Sequence, residues 1–125
     1  MPNYKELALK LHEKYRGKVA IASKVPLNNK DDLSTAYTPG VAEPCLHISK
    51  NKQDVYKYTS KGNMVAVITD GSAVLGLGNI GAEAAIPVME GKCLLFKQLA
   101  GIDAFPICLE SQEPHRLGRL PQTTI

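Results

Sequence analysis

Two side chains offer proton-transfer chemistry in segments built like functional loops: the phenol of Tyr37 and the amine of Lys92. Tyr37 stands in Ala36-Tyr37-Thr38-Pro39-Gly40-Val41, where a loop meets a predicted helix and its hydroxyl can face a cleft. Lys92 follows Gly91 on another predicted helix. An ordinary lysine holds its proton to about pH 10.4, so a base at this position needs burial or a neighbouring cation. Its neighbours Gly91, Cys93, Leu94 and Leu95 allow partial burial. Both residues also have a plainer reading, as an aromatic wedge under a turn and a solvated amine. Asp70 is a third candidate, because it ends an apolar run where α/β proteins place functional side chains. It suits equally the capping of the Gly71-Ser72 turn.

Other chemistry is weaker. His12, His47 and His115 share no spacing, and no group of carboxylates and histidines has metal-site spacing. Gly76-x-Gly78-x-x-Gly81 matches the dinucleotide-binding fingerprint, with Asp103 near the position of the ribose-binding acid. That fingerprint needs a long helix opening at the glycines. Pro87 is expected to interrupt such a helix, and Asp103 precedes a strand instead of closing one. The glycines are therefore read as close-packing positions, with no cofactor contact assigned.

The positioning elements follow from periodicity. Asn3 and Glu6 form a capping pattern, and Leu7, Leu11 and Tyr15, with Tyr4 and Ala8 beside them, give a first helix stopped by Gly17. Val19 to Ala22 reads as a short strand, and Asp31-Asp32 opens a brief helix ending before Thr38-Pro39. Short helices are expected over Val41–Ser49 and Asp54–Thr59, with a turn at Lys61-Gly62-Asn63. Met64–Thr69 is a nearly continuous apolar run, as in a parallel strand buried on both faces. Ala73–Leu75 is a possible second strand. Pro87 suits the first turn of a helix running to Ala100, with Gly101 as its stop. That helix presents Met89, Cys93, Phe96 and Ala100, with Val88, Leu95 and Leu99 alongside. Phe105–Leu109 is the last strand. Helices alternating with buried strands make this an α/β domain.

The length of 125 residues suits one domain with a core, and 44% hydrophobic with 22% charged residues excludes disorder as the default. A net charge of +3 with interspersed signs argues against nucleic acid. Cys45, Cys93 and Cys108 all have apolar neighbours and read as buried thiols in a reducing compartment. The N-terminus has no apolar signal region, and no segment approaches the ~20 apolar residues of a membrane span. A soluble, cytoplasmic protein is expected.

Four ordered blocks resemble the N-terminal domain of the malic enzymes, particularly the compact bacterial type. They are Tyr37-Thr38-Pro39-Gly40-Val41-Ala42-Glu43-Pro44-Cys45, Thr69 through Gly78, Ile86-Pro87-Val88-Met89-Glu90-Gly91-Lys92, and Ala100 through Pro106. The resemblance implies a malic-enzyme-like α/β domain over residues 1–110, with a small, largely parallel sheet flanked by helices. It also implies oxidative decarboxylation of L-malate to pyruvate and CO2, with NAD or NADP and with Mg or Mn.

By this similarity Lys92 is the substrate-binding base that takes the malate hydroxyl proton. The metal stabilises the enolate formed as CO2 leaves, and Tyr37 is the acid that protonates the enol carbon. A phenol of pKa ~10 needs a cation to share this work, and Lys92 is the obvious partner. Both the metal ligands and the nicotinamide domain are expected beyond this chain, which by itself would be inactive. Asn79 replaces an aspartate common in these enzymes, and a homodimer is implied by resemblance alone. Residues 111–125 lose the family pattern and read as a tail foreign to the natural continuation, as a shifted frame or truncated gene would give. Two other functions fit the residues: a non-catalytic binding or regulatory domain, and a freestanding dinucleotide-binding module.

Overall fold

The computed structural model describes residues 2–110; the expectation about 111–125 lies outside them. Two compact units are present, one formed by residues up to Val19 with those from Met64 onward, the other by Ala20–Asn63.

In the first unit, α1 spans Tyr4–Tyr15. The Asn3 side chain accepts from the Glu6 amide at 3.4 Å, as the capping pattern predicts. The stop begins one residue earlier than expected, since Arg16 already adopts the left-handed conformation (φ 53°) and Gly17 follows with φ 105°. The apolar stripe of α1 is not a core face here: Tyr4, Leu7, Leu11 and Tyr15 are all exposed. No strand forms at Val19–Ala22.

The centre of this unit is a β-α-β arrangement. Strand β1 (Met64–Thr69) leads through a glycine-rich loop to α5 (Ala82–Ala100), which returns to β2 (Asp103–Cys108). The helices α2 to α4 belong to the other unit. β1 and β2 pair in parallel, from Met64 opposite Asp103 to Thr69 opposite Cys108, and Leu109 donates to Thr69 to extend the ladder. A parallel pair requires a crossover of this kind, and α5 supplies it. Gly101 (φ 69°) closes the helix as expected, its amide and that of Ile102 serving the carbonyls of Lys97 and Phe96.

Three expectations need correction. Ala73–Leu75 is not a strand; Val74 makes a single antiparallel bridge to Gly78 inside a turn. Pro87 is not in the first turn, because α5 opens at Ala82 and holds Pro87 in its interior. Proline there removes one helical donor and costs about 3 kcal/mol relative to alanine, and Gly91 adds about 1 kcal/mol. Tertiary burial of Ala82, Ala85, Met89 and Cys93 holds the helix against that penalty. Finally, β1 is not fully buried on either face in this chain: Val65 and Ile68, which point to opposite faces, are both exposed, and its other residues are half-buried.

Among the described residues the buried apolar side chains are Val74, Ala82, Ala85, Met89 and Cys93. The core is thus the seam between α5 and the sheet. Phe96 and Ala100, expected to continue it, are exposed.

The second unit is built of short helices. Asn29 caps α2 (Lys30–Ala36) by accepting from the Asp32 amide at 2.8 Å, while the Asp32 carboxylate accepts from the Asn28 amide at 2.8 Å. After the Tyr37 loop come α3 (Ala42–Lys50), a 3-10 turn at Lys52–Asp54, α4 (Val55–Tyr58) and a second 3-10 turn at Ser60–Gly62. These match the helices and turn read from the sequence to within two residues.

The cysteines divide differently from expectation. Cys45 is exposed on α3, whereas Cys93 is buried and Cys108 half-buried, and burial pushes both of the latter thiols up. A thiol reagent near neutral pH is expected to modify Cys45 first, with Cys93 reacting only on unfolding. Peptide mapping of the labelled chain checks this; early labelling of Cys93 would contradict the packing of α5 on the sheet.

Candidate functional site

Tyr37 lies where α2 gives way to α3. Its amide still bonds to Leu33 at 2.8 Å, and its own carbonyl accepts from Val41 at 2.6 Å, so the backbone is fixed at both sides of the loop. The Thr38–Pro39 peptide is cis. Gly40 packs so closely on the end of α2 that a Cβ would lie 2.6 Å from the Thr35 carbonyl and 2.7 Å from that of Ser34. This close approach explains the glycine in Thr-Pro-Gly. The ring of Tyr37 is 66% exposed. That exposure removes the wedge reading: the phenol is presented by the loop and does not fill it.

Lys92 lies on α5, one turn after the interior proline. It is exposed and borders an apolar strip made by Leu95, Phe96 and Leu99. The burial that a lysine base requires is not provided by the described residues. Tyr37 and Lys92 fall in different units, each positioned by its own local structure.

The loop after β1 settles the reading of Asp70. Its carboxylate accepts from the Ser72 hydroxyl at 2.6 Å and from the Ser72 amide at 2.9 Å. The hydroxyl, then the amide, hold the carboxyl below its ordinary range. Asp70 is thus the cap of the Gly71-Ser72 turn. Gly71, with φ 72°, abuts the backbone of Gly81, and the Ile80 amide donates to the Gly71 carbonyl at 3.1 Å. The loop is therefore folded back on the start of α5.

The glycine fingerprint is excluded on one of the two grounds expected, the place of Asp103, and on one further ground. A 19-residue helix does begin directly after Gly81, so interruption by Pro87 is not the reason. Instead, the loop from Thr69 to Gly76 separates β1 from the glycines, and Asp103 opens β2 while accepting from Lys97 at 2.6 Å. A ribose-binding acid closes its strand. These residues do not fit a dinucleotide site. Nor does a group of three or more His, Cys, Asp or Glu side chains converge as a metal site among the described residues. No helix among them is long and apolar enough to cross a membrane.

One cluster escaped the periodicity argument altogether. Lys18 donates from its amide to Glu90 at 3.0 Å and from its amine to the Pro87 carbonyl at 2.7 Å. His12, read as an isolated side chain on a helix face, meets the Lys18 amine at 2.6 Å. A separation of 72 residues between Lys18 and Glu90 leaves no mark on local patterning.

The sequence pattern of the family described as "Malic enzyme, N-terminal domain" matches residues 16–119. The chain belongs to this malic enzyme family. Relatives include the bifunctional malic/malolactic enzyme of Bacillus subtilis, 59% identical over 113 residues, covering 90% of this chain and 28% of that protein. The NADP-dependent malic enzyme of Escherichia coli is 53% identical over 113 residues, again 90% of this chain but 15% of the relative. Among solved structures, the NAD-dependent malic enzyme of Thermotoga maritima superposes with a TM-score of 0.84 at 50% identity, over 88% of this chain and 31% of that one. The malic enzyme of Pyrococcus horikoshii gives 0.85 at 53% identity, over 90% and 27% respectively. The chain therefore spans less than a third of the length of these relatives, and the malic enzyme fold read from the four blocks is the one it has.

Proposed function

We propose that this chain supplies the proton-transfer residues of a malic enzyme that converts L-malate to pyruvate and CO2, with NAD or NADP as hydride acceptor. The observation that carries this reading is the family match, which encloses both Tyr37 and Lys92 in their motifs. Lys92, deprotonated, takes the proton of the malate C2 hydroxyl as that carbon becomes a ketone. Once CO2 has left, the Tyr37 phenol gives its proton to C3 of the enol, which becomes the methyl group of pyruvate. Lys92 serves as the base where its neutral form is favoured, by exclusion of water from its amine or by a neighbouring cation.

The described residues do not provide a divalent-metal or nicotinamide site. Mg or Mn, and the choice between NAD and NADP, belong to the remainder of a family-length protein. On this reading the 125 residues by themselves do not turn over malate.

The test uses a chimaera in which residues 2–110 replace the matching segment of the Bacillus subtilis relative. Tyr37→Phe in this protein is expected to lower pyruvate formation by roughly 10²–10⁴-fold, the range of a lost general acid. It should spare the reduction of a 2-keto acid by reduced nicotinamide, which needs no enol protonation. Equal loss of both reactions would mean that Tyr37 serves only the structure of its loop.

A further inference from the structure

We propose that the segment after α1 locks the Lys92-bearing turn of α5, with Lys18 and Glu90 as positioning residues. The inference rests on the assignment of Lys92 as the base, and extends it to residues with no part in the chemistry.

Helix α5 carries two poor helix formers, Pro87 and Gly91, in its interior. Pro87 removes the donor that the Glu83 carbonyl would take in a regular helix, and Gly91 has no side chain to restrain its backbone. A Cβ at Gly91 would meet nothing within 4 Å, so no close approach demands glycine there. The turn from Pro87 to Gly91 therefore has the lowest intrinsic helix propensity in α5, and Lys92 is the next residue.

Tertiary polar contacts land on that turn. The Lys18 amine donates to the carbonyl of Pro87 at 2.7 Å. The Glu90 carboxylate sits against the Arg16-Gly17-Lys18 turn, accepting from the Lys18 amide at 3.0 Å. Arg16 (φ 53°) and Gly17 (φ 105°) both have positive φ and their amides donate to the His12 carbonyl, so the Lys18 amide is the one that meets the carboxylate. A Cβ on Gly17 would lie 2.7 Å from one Glu90 oxygen, so a side chain there would displace the carboxylate from this position. His12 completes the arrangement. Its Nδ1 lies 2.7 Å from the Ala8 carbonyl, which fixes that nitrogen as the donor and leaves Nε2 to accept from the Lys18 amine at 2.6 Å. The ammonium is thereby aimed at Pro87.

Hydrogen exchange on the 125-residue chain tests the lock directly. Glu90→Ala and Lys18→Met are each expected to speed exchange of the Gly91 and Lys92 amides by roughly tenfold, the loss of one charge-assisted hydrogen bond. The β1 amides should keep their rates. Glu90→Gln retains an oxygen that accepts from the Lys18 amide, and should restore protection to within about threefold. Unchanged exchange at Gly91 and Lys92, or the same acceleration in β1 as in α5, would overturn the proposal. The functional arm is separate: in the chimaera, Lys18→Met should lower kcat by less than the roughly 10²–10⁴-fold loss expected of Lys92→Ala. If Lys92→Ala leaves turnover intact while the exchange pattern holds, the catalytic assignment fails and the lock stands.

Discussion

Replacing Lys92 by alanine in the chimaera is expected to lower kcat for malate by roughly 10²–10⁴-fold, with a smaller change in KM. The reasoning runs through proton bookkeeping. Hydride cannot leave C2 of malate readily while the hydroxyl keeps its proton, because the product would be a protonated ketone. A neutral amine within reach removes that obstacle. The same amine, protonated, must return its proton when a 2-keto acid is reduced, so Lys92→Ala should lose both directions. This separates it from Tyr37→Phe, for which keto-acid reduction is spared. The position on α5 makes the change clean, since Lys92 is exposed while the core residues Ala85, Met89 and Cys93 are buried. Thermal stability of the variant should therefore match the parent. A variant that keeps full activity would remove the base from the account.

The second large effect is structural. Gly71→Ala is expected to cost about 2–5 kcal/mol, a large part of the 5–15 kcal/mol that holds a typical domain together. Two causes add. At φ 72° a residue with a Cβ suffers about 1–2 kcal/mol of strain, and that Cβ would also be driven into the backbone of Gly81 at the start of α5. Gly76→Ala separates them. Gly76 has the same left-handed backbone, φ 71°, but open space where its Cβ would stand. It should lose only the conformational part, about 1 kcal/mol. Thermal melting of both variants checks the pair. Equal losses would mean that the loop after β1 is not folded back on α5.

What the sequence disclosed depended on how local the cause was. The capping of α1 by Asn3, the end of α5 at Gly101 and the Met64–Thr69 strand are written in a few adjacent residues, and each formed where expected. Pro87 misled because proline placement is read from a local preference for the first turn, whereas burial of Ala82 and Ala85 upstream carried the helix back to Gly81. Ala73–Leu75 had strand-like residues but no partner strand, and glycines on either side closed it into a turn. The apolar faces of α1 and of Phe96 matched their helical periods, yet they are exposed in this chain. Periodicity reports that a face is to be covered, and it does not say by what. Of the proposed site, Tyr37 and Lys92 are singled out only through their motifs, while the Lys18–Glu90 contact needed the fold itself.

The central claim is that these residues form the N-terminal part of a working malic enzyme. The most direct measurement is malate-dependent formation of reduced nicotinamide and pyruvate by the chimaera carrying residues 2–110. The account predicts both products in equal amounts, with turnover lost on Lys92→Ala. A chimaera that melts like the Bacillus subtilis parent but forms neither product would contradict it, leaving a domain with the malic enzyme fold and without its chemistry.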